Sequence, residues 1–558
     1  LLVRKGHQSV TLLRYWYTLR DLRPVQIYGR IAQRLVRPRP DHSPAPECRP
    51  QAGTWVSPAR QSDAMLGPRR FRFLGEEREL SWPQGWNDPA IHKLWLFNLH
   101  YFADLASNDA DERTPWHREL IARWINENPP FAGHAWVPYC VSQRIVNWIK
   151  WLLVNNDPVA GMLDSLALQT RYLEQRIERH LQGNHLLANA MALAFAGLYF
   201  GGTEGDRWLA IALDLLRHEV PQQILRDGGH YELSPMYHSL VLEHLLDVTN
   251  AANAFKTAAP EAANLTATWR LQIEQMRRWL HAMTFPDGQI ALFSDSALEI
   301  APVPAELDAY AERLGLQALV PTAQRVTQLA DSGYVRLASG PAVLIADVGP
   351  LGARYQPGHG HADVLSFELA LGKDRLVVDT GTSVYYGNDS QRLQERGTAA
   401  HNTVTVDGEN SSEVWDVFRV ARRAKPVDHS IDESSPVQVT VGCGHDGYLR
   451  LAGRVRHHRA WRLSADELVI EDQVAGQFAS AIARFHLDPL IRVTAPPEKT
   501  FVNLELGPWQ IQFEATGSEM SIEPAEYHPR FGTTIENLCL VCRLTKSPAV
   551  FRFRWSRR

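Results

Sequence analysis

A chain of 558 residues, 45% hydrophobic and 22% charged, is too long for one ordinary domain and has the make-up of a globular protein with two to four cores. Its 58 basic residues against 62 acidic ones give a formal net charge of −4, which offers no footing for a nucleic-acid binder, and no apolar run is long enough to span a bilayer. The five cysteines, Cys48, Cys140, Cys443, Cys539 and Cys542, do not make a disulfide framework.

The first 40 residues carry Arg4, Lys5, Arg14, Arg20, Arg23, Arg30, Arg34, Arg37 and Arg39 against one acid, Asp21. Such an arm meets a polyanion, a membrane surface or an acidic patch of its own protein, and the last is the first expectation. The opening "LLVRKGHQSVTLLRYWYTLRDL" lacks the sustained apolar core and small-residue cleavage site of a signal peptide. It also begins without Met, which is compatible with a leader or an upstream piece before it. Residues 41–85, rich in Pro and Arg, read as irregular wrapping, so residues 1–85 form a basic, Pro-rich arm.

From about residue 110 to 285 helical periodicity recurs, as in "VSQRIVNWIKWLLVNN", "LLANAMALAFAGLYF" and "SLVLEHLLDVTNAANAF". Short connections with Gly, Pro or Asp predict antiparallel neighbours, hence a bundle or toroid of helix pairs over residues 86–320. The stretch "IAPVPAELDAYAERLGLQALVPTAQ" then breaks the pattern around one short helix. From about residue 330 the period becomes two, in "GYVRLASGPAVLIADVG", "DRLVVDTG", "HNTVTVDG", "ELVIEDQV" and "WQIQFEATG". Residues 321–558 are therefore expected to form packed antiparallel sheets. "CLVC" at 539–542 lies in such a strand, where residues three apart point to opposite faces, and reads as structural rather than as half a zinc knuckle.

Polar residues gather at the ends of these elements. "QGNHLLANA" places Asn184 and His185 at the start of an apolar helix, where Asn is either a plain cap or a functional donor. "RDGGHYELSPMYHSLVLEH" collects Asp227, His230, Tyr231, Glu232, Tyr237 and His238 around a Gly-Gly turn and a Ser-Pro helix start, either a wet helix mouth or packing and capping. In "YQPGHGHADVLSFEL" a glycine-rich turn carries His359 and His361 straight into a strand. Asp379 ends one strand-like run and His401 begins another. With His361 they make a two-imidazole, one-carboxylate set suited to zinc or another divalent ion. Arg144 suits a substrate carboxylate or sulfate, or a buried ion pair between helices. Trp136, Tyr139 and "WLFNLHYF" at 95–102 gather aromatic rings that serve as stacking platforms for a ligand or as core.

The motifs "GNHLLANA", "DGGHYELSPMYH", "PGHGHADVLSFEL", "VVDTGTSVY" and "RGTAAHNTVTVDG", in that order, with "WVPYCVSQRIVNW" at 136–148, resemble the heparinase II/III-like family of polysaccharide lyases. The resemblance implies an α+β multidomain protein, an incomplete α/α toroid followed by an antiparallel β-sandwich, with the cleft between them. It also implies β-elimination on a uronate-containing acidic polysaccharide: the C5 proton is removed, the bond at C4 breaks and an unsaturated uronyl end remains. On that pattern Asn184, helped by His185, holds and neutralises the uronate carboxylate, as an oxyanion hole would. Tyr237 acts at the glycosidic oxygen as acid and on some substrates also as base, and His359 is the second proton-transfer group. Arg144, Trp136, Tyr139, Glu232 and His238 are then candidates for substrate binding. His361, Asp379 and His401 match a structural metal site, zinc first, with manganese or calcium as alternatives.

Glycosaminoglycans such as heparan, chondroitin or hyaluronan are the first expected substrates, with alginate or a bacterial exopolysaccharide as alternatives. The periplasm or the outside of the cell is the expected compartment, with the cytoplasm open because no signal peptide is visible. Two other readings remain: a glycoside hydrolase with Glu232 and Asp227 as paired carboxylates, and a non-catalytic polysaccharide-binding or assembly protein.

Overall fold

The stretch GNHLLANAMALAFAGLY contains no Asp, Glu, Lys or Arg, and a helix apolar on every side has to be covered on every side. In the computed structural model, which describes residues 12–320, 324–494, 498 and 500–558, this stretch is the helix Gly183–Tyr199 at the hub of the N-terminal half. It packs against the helices Pro138–Asn155, Gly202–Gln223 and Pro235–Ala254. Close approach is built in: a Cβ on Gly197 would sit 2.4 Å from the backbone nitrogen of Leu209. Twelve α-helices of the described residues fall between Leu12 and Arg313, the last being the short helix Pro304–Arg313 in the expected connector. Their short links turn neighbours back on one another, giving an incomplete helical toroid.

The β half begins at Val326, and every pairing between its named strands is antiparallel. A five-stranded meander runs from Val326–Leu329 to Asp374–Val377, followed by sheets of eight and four strands. The outer strands alternate as expected; Arg456–Leu463, for instance, buries every second side chain. The meander departs from period two. Ala342–Asp347 and Phe367–Leu371 are buried at every position, because the sheet is covered on both faces. Leu344 and Leu369 face the sandwich core, while Val343, Ile345 and Ala370 pack with Trp279, Phe285 and Phe293 of the helical half. The meander is thus the layer that welds the halves together, and its loop 348–366 emerges at their junction.

The basic arm meets its own protein only in part. Arg14 lies 3.7 Å from Glu413 and Arg354 takes up Asp21 at 2.8 Å, whereas Arg30, Arg34, Arg37 and Arg39 are exposed. Arg4 and Lys5 lie outside the described residues. Among the described residues, no helix is long and apolar enough to cross a membrane.

Candidate active site

Asp295 is the residue around which the junction is organised. It sits in "LFSDSAL", after the last long helix of the toroid, and its carboxylate has no exposed surface. Three partners from the β half donate to it: His359 through Nδ1 at 2.7 Å, His361 through Nε2 at 2.8 Å, and Arg392 through both terminal nitrogens at 2.5 and 2.7 Å. Burial alone would raise the carboxyl pKa, but Arg392 and the two imidazoles hold it well below the usual range. The backbone of Asp295 joins in as well. Its N–H donates to the His359 carbonyl, and its carbonyl accepts from Ser234 Oγ, the N-cap of the helix Pro235–Ala254.

Tyr237 lies in the first turn of that helix, its ring centroid 4.1 Å from that of His359. Its hydroxyl donates to Tyr385 Oη at 3.2 Å. Burial, then the charge of Asp295, pushes the Tyr237 pKa well above 10, so the phenol keeps its proton. With Nδ1–H committed to Asp295, His359 presents Nε2, which lies 3.7 Å from Glu232. Glu232 accepts from the Asn184 backbone N–H at 3.0 Å and from its amide at 2.9 and 3.2 Å. Burial works against the ionised form of Glu232, but His359, His230 and Asn184 outweigh it and lower the pKa. Gly183 permits this embrace: its φ is +58°, and a Cβ there would lie 2.0 Å from Glu232 Oε1. On the rim, half-buried His185 packs against Tyr139, ring centroids 4.7 Å apart, and contacts Glu178 at 3.2 Å. Burial opposes its charge, yet Glu178 more than reverses this and raises its pKa.

The second cluster lies behind His359. His361 Nδ1 and His401 Nε2 are buried with no hydrogen-bond partner. With the carboxylate of Asp363 they place ligand atoms within 4.8 Å of one another, a set that could bind a metal ion. The other nitrogen of each ring is fixed by a carboxylate, His361 by Asp295 and His401 by Asp379 at 2.8 Å, the arrangement that orients metal-ligating histidines. Burial, with like charges alongside, raises the pKa of Asp363 and of nearby Asp347, a repulsion that a bound cation would relieve. Asp379, the carboxylate expected in this set, bonds instead to His401 Nδ1 and the Gly381 N–H. Asp363 is the carboxylate whose oxygen lies within reach of the two open nitrogens.

Three candidates for substrate contact turn inward. Arg144 is fully buried, bonded to Gln169 and to the carbonyls of His100 and Ala135, with its guanidinium over Trp124. Trp136 is packed among Trp124, Phe131 and Tyr172. His238 is buried, stacked on Trp279 and bonded to the Met276 carbonyl. Most of "WLFNLHYF" is core too. Asp227 accepts from the Gly229 and Ser332 N–H groups and from the Ser332 hydroxyl. Sequence reading missed Asp295, Arg392, Tyr385 and Asp363. Asp363 carried a signal, two residues after His361 in the same turn; Arg392 carried none, since "DSQRLQERG" reads as an ordinary polar helix.

The two halves of the chain match two family models in turn. The model described as heparinase II/III N-terminus matches residues 81–313, and the one described as heparinase II/III-like, C-terminal, matches residues 321–555. The chain belongs to the heparinase II/III-like family. A heparin-sulfate lyase of Pedobacter heparinus is 25% identical over 356 residues, 57% of this chain and 52% of that protein. The FtsZ-localized protein C of Caulobacter vibrioides is 26% identical over 406 residues, 67% of this chain and 66% of that protein. This chain thus spans about half the length of the first of these curated relatives. The crystal structure of heparinase III shares the fold with a TM-score of 0.65 at 19% identity, covering 87% of this chain and 80% of that one.

Proposed function

We propose that the protein is a polysaccharide lyase that opens uronate-containing acidic polymers by β-elimination, with glycosaminoglycans as the leading substrate class. The observation that carries this reading is the close placement of Tyr237 and His359, ring centroids 4.1 Å apart, a phenol that holds its proton beside an imidazole whose second nitrogen is aimed by Asp295. In the proposed reaction His359 Nε2 removes the C5 proton, and the electron pair moves to form the C4–C5 double bond as the C4–O bond breaks. Tyr237 Oη gives its proton to the departing oxygen, so that Tyr237 serves as the acid and His359 as the base. Tyr385, bonded to Tyr237 Oη, is placed to return a proton to it.

The developing negative charge on the substrate carboxylate needs a donor. Asn184 already cradles the carboxylate of Glu232, so its part is to position that residue beside His359. His185, half exposed and biased toward its charged form, is the cation at the rim that meets the uronate. The metal set is proposed to hold zinc through His361 Nδ1, His401 Nε2 and Asp363, because two imidazoles do not suit the all-oxygen shell of calcium. Its chemistry there is to pin the loop 348–366 against the strand ends.

The test is to follow ultraviolet absorbance of unsaturated uronate during incubation with heparan, chondroitin, hyaluronan and alginate. A rise with wild type that falls by about 100-fold or more in Tyr237→Phe and His359→Ala is expected; equal rates in wild type and both variants would sink the reading. A second reading, a polymer-binding or assembly protein on the same scaffold, is favoured by the match to FtsZ-localized protein C. It predicts polymer binding with no absorbance change.

A further inference from the structure

The two N-terminal helices are built inside out. α1 (Leu12–Leu19) has no buried residue, and α2 (Pro24–Leu35) buries only Gln26. Polar atoms hold them to the body: Trp415 Nε1 donates to Thr18 Oγ1, Gln26 donates to the Tyr355 carbonyl, and Gln33 donates to the carbonyls of Arg176 and Ile177. Gly29 faces His180, where an added Cβ would come within 2.8 Å. The apolar side chains point the other way. On α1, Leu12, Trp16 and Leu19 recur at helical spacing and are exposed, Leu12 by 89% and Trp16 by 63%, while Tyr15 sets its ring edge-on against Trp415 at 5.3 Å. On α2, Ile27, Tyr28, Ile31 and Leu35 do the same, Leu35 by 75%.

An amphipathic helix docked on its own protein normally buries the apolar stripe, so this orientation leaves a surface with no counterpart among the described residues. Ten of the seventeen exposed large apolar side chains of the described residues lie between Leu12 and Val36; the others are scattered. The stripe is flanked by exposed arginines at 20, 30, 34, 37 and 39, while the nearest acid, Asp21, is taken up by Arg354.

We infer that α1 and α2 form a docking site for an anionic phospholipid surface, seating the protein peripherally on a membrane. Leucine and isoleucine enter the acyl boundary, Trp16 and Tyr28 suit the headgroup level, and the arginines meet lipid phosphates. A purely electrostatic partner such as an acidic polysaccharide would use the arginines and leave the apolar stripe in water. A second copy of the chain would bring two sets of arginines together. The site lies beside the candidate active site, because Arg23 stacks on Tyr355 at 3.6 Å and donates to Gln182, in the segments that lead to His359 and Asn184. A bound membrane would therefore hold the junction of the two halves close to its surface.

The experiment is flotation of the full chain with vesicles of phosphatidylcholine alone or mixed with phosphatidylglycerol, at low and high salt. Binding to the mixed vesicles, weakened by salt, is expected, with at least a tenfold loss in Ile27→Ser/Ile31→Ser and in Arg30→Glu/Arg34→Glu. All four side chains are exposed, so the melting temperature should stay within a degree or two of wild type. The inference is overturned if folded wild type does not float with the anionic vesicles, or if the isoleucine pair can be replaced without loss. It is equally overturned if that pair instead abolishes a dimer seen by sedimentation equilibrium, or if only charge reversal matters and soluble heparan competes fully. The test is independent of lyase activity.

Discussion

Arg392 grips both oxygens of Asp295, and neither side chain has any exposed surface. This pair joins the β half to the helical half and, through the same carboxylate, aims His359 and His361. Replacing Arg392 by Met keeps the bulk but strands a buried charge. The expected cost is about 3–5 kcal/mol of unfolding free energy, read as a drop in the urea midpoint. A loss below about 1 kcal/mol would mean that the pair is not what secures the junction.

Removing a metal should act on stability first. If His361, Asp363 and His401 hold an ion, chelation lowers the melting temperature and elemental analysis finds the ion lost in Asp363→Asn and His401→Ala. Asp379→Asn should retain the ion but weaken its affinity by roughly 10- to 100-fold, since it supports His401 without ligating. Equal and complete loss of the ion in Asp379→Asn and Asp363→Asn would reverse the assignment made here.

Arg144 should be a stability residue and not a substrate contact. Its bonds all end inside the toroid, so Arg144→Met leaves Gln169 and two carbonyls unsatisfied, at an expected cost of about 2–4 kcal/mol. KM for the polymer should not change in the fraction that folds. A several-fold rise in KM with unchanged melting would restore it to the binding surface.

The dependence of stability on acid should pass through Asp104. Burial would raise its pKa from 3.8, but His117, the N–H groups of Met65 and Ala64, and Arg113 more than reverse this and lower it to about 2. A depressed carboxyl contributes stability above its unfolded pKa and loses it as pH falls through the folded value. The contribution is therefore complete above about pH 5, near 2 kcal/mol, and falls to about half by pH 3. The gap in unfolding free energy between wild type and Asp104→Asn, measured across that range, should shrink accordingly; a gap constant with pH would refute the assignment.

Much of the architecture was legible because periodicity is local. The 3.6-residue repeat in "VSQRIVNWIKWLLVNN" and the twofold repeat in "RHHRAWRL" follow from which face each element buries, and the change of period near residue 330 marks the passage from helices to sheets. Glycine-bounded motifs likewise brought Asn184, Tyr237 and His359 to attention, since a turn that holds a side chain at the mouth of an element leaves its mark within a few residues.

What the sequence could not decide is how distant segments share atoms. Asp379 and Asp363 are both acids next to a strand, and only the register of the fourth meander strand and the path of the loop 348–366 turn one toward His401 Nδ1 and the other toward the open nitrogens. Arg144 suits a ligand for anions or a buried ion pair equally well in sequence, and only the closed toroid shows it bonded to Gln169 and two carbonyls. Asp295 and Arg392 are 97 residues apart and touch only because the meander presses the two halves together. Local pattern determined the elements and the chemistry they present at their ends; long-range packing, which sets the burial and partners of each polar group, decided which of those groups meet.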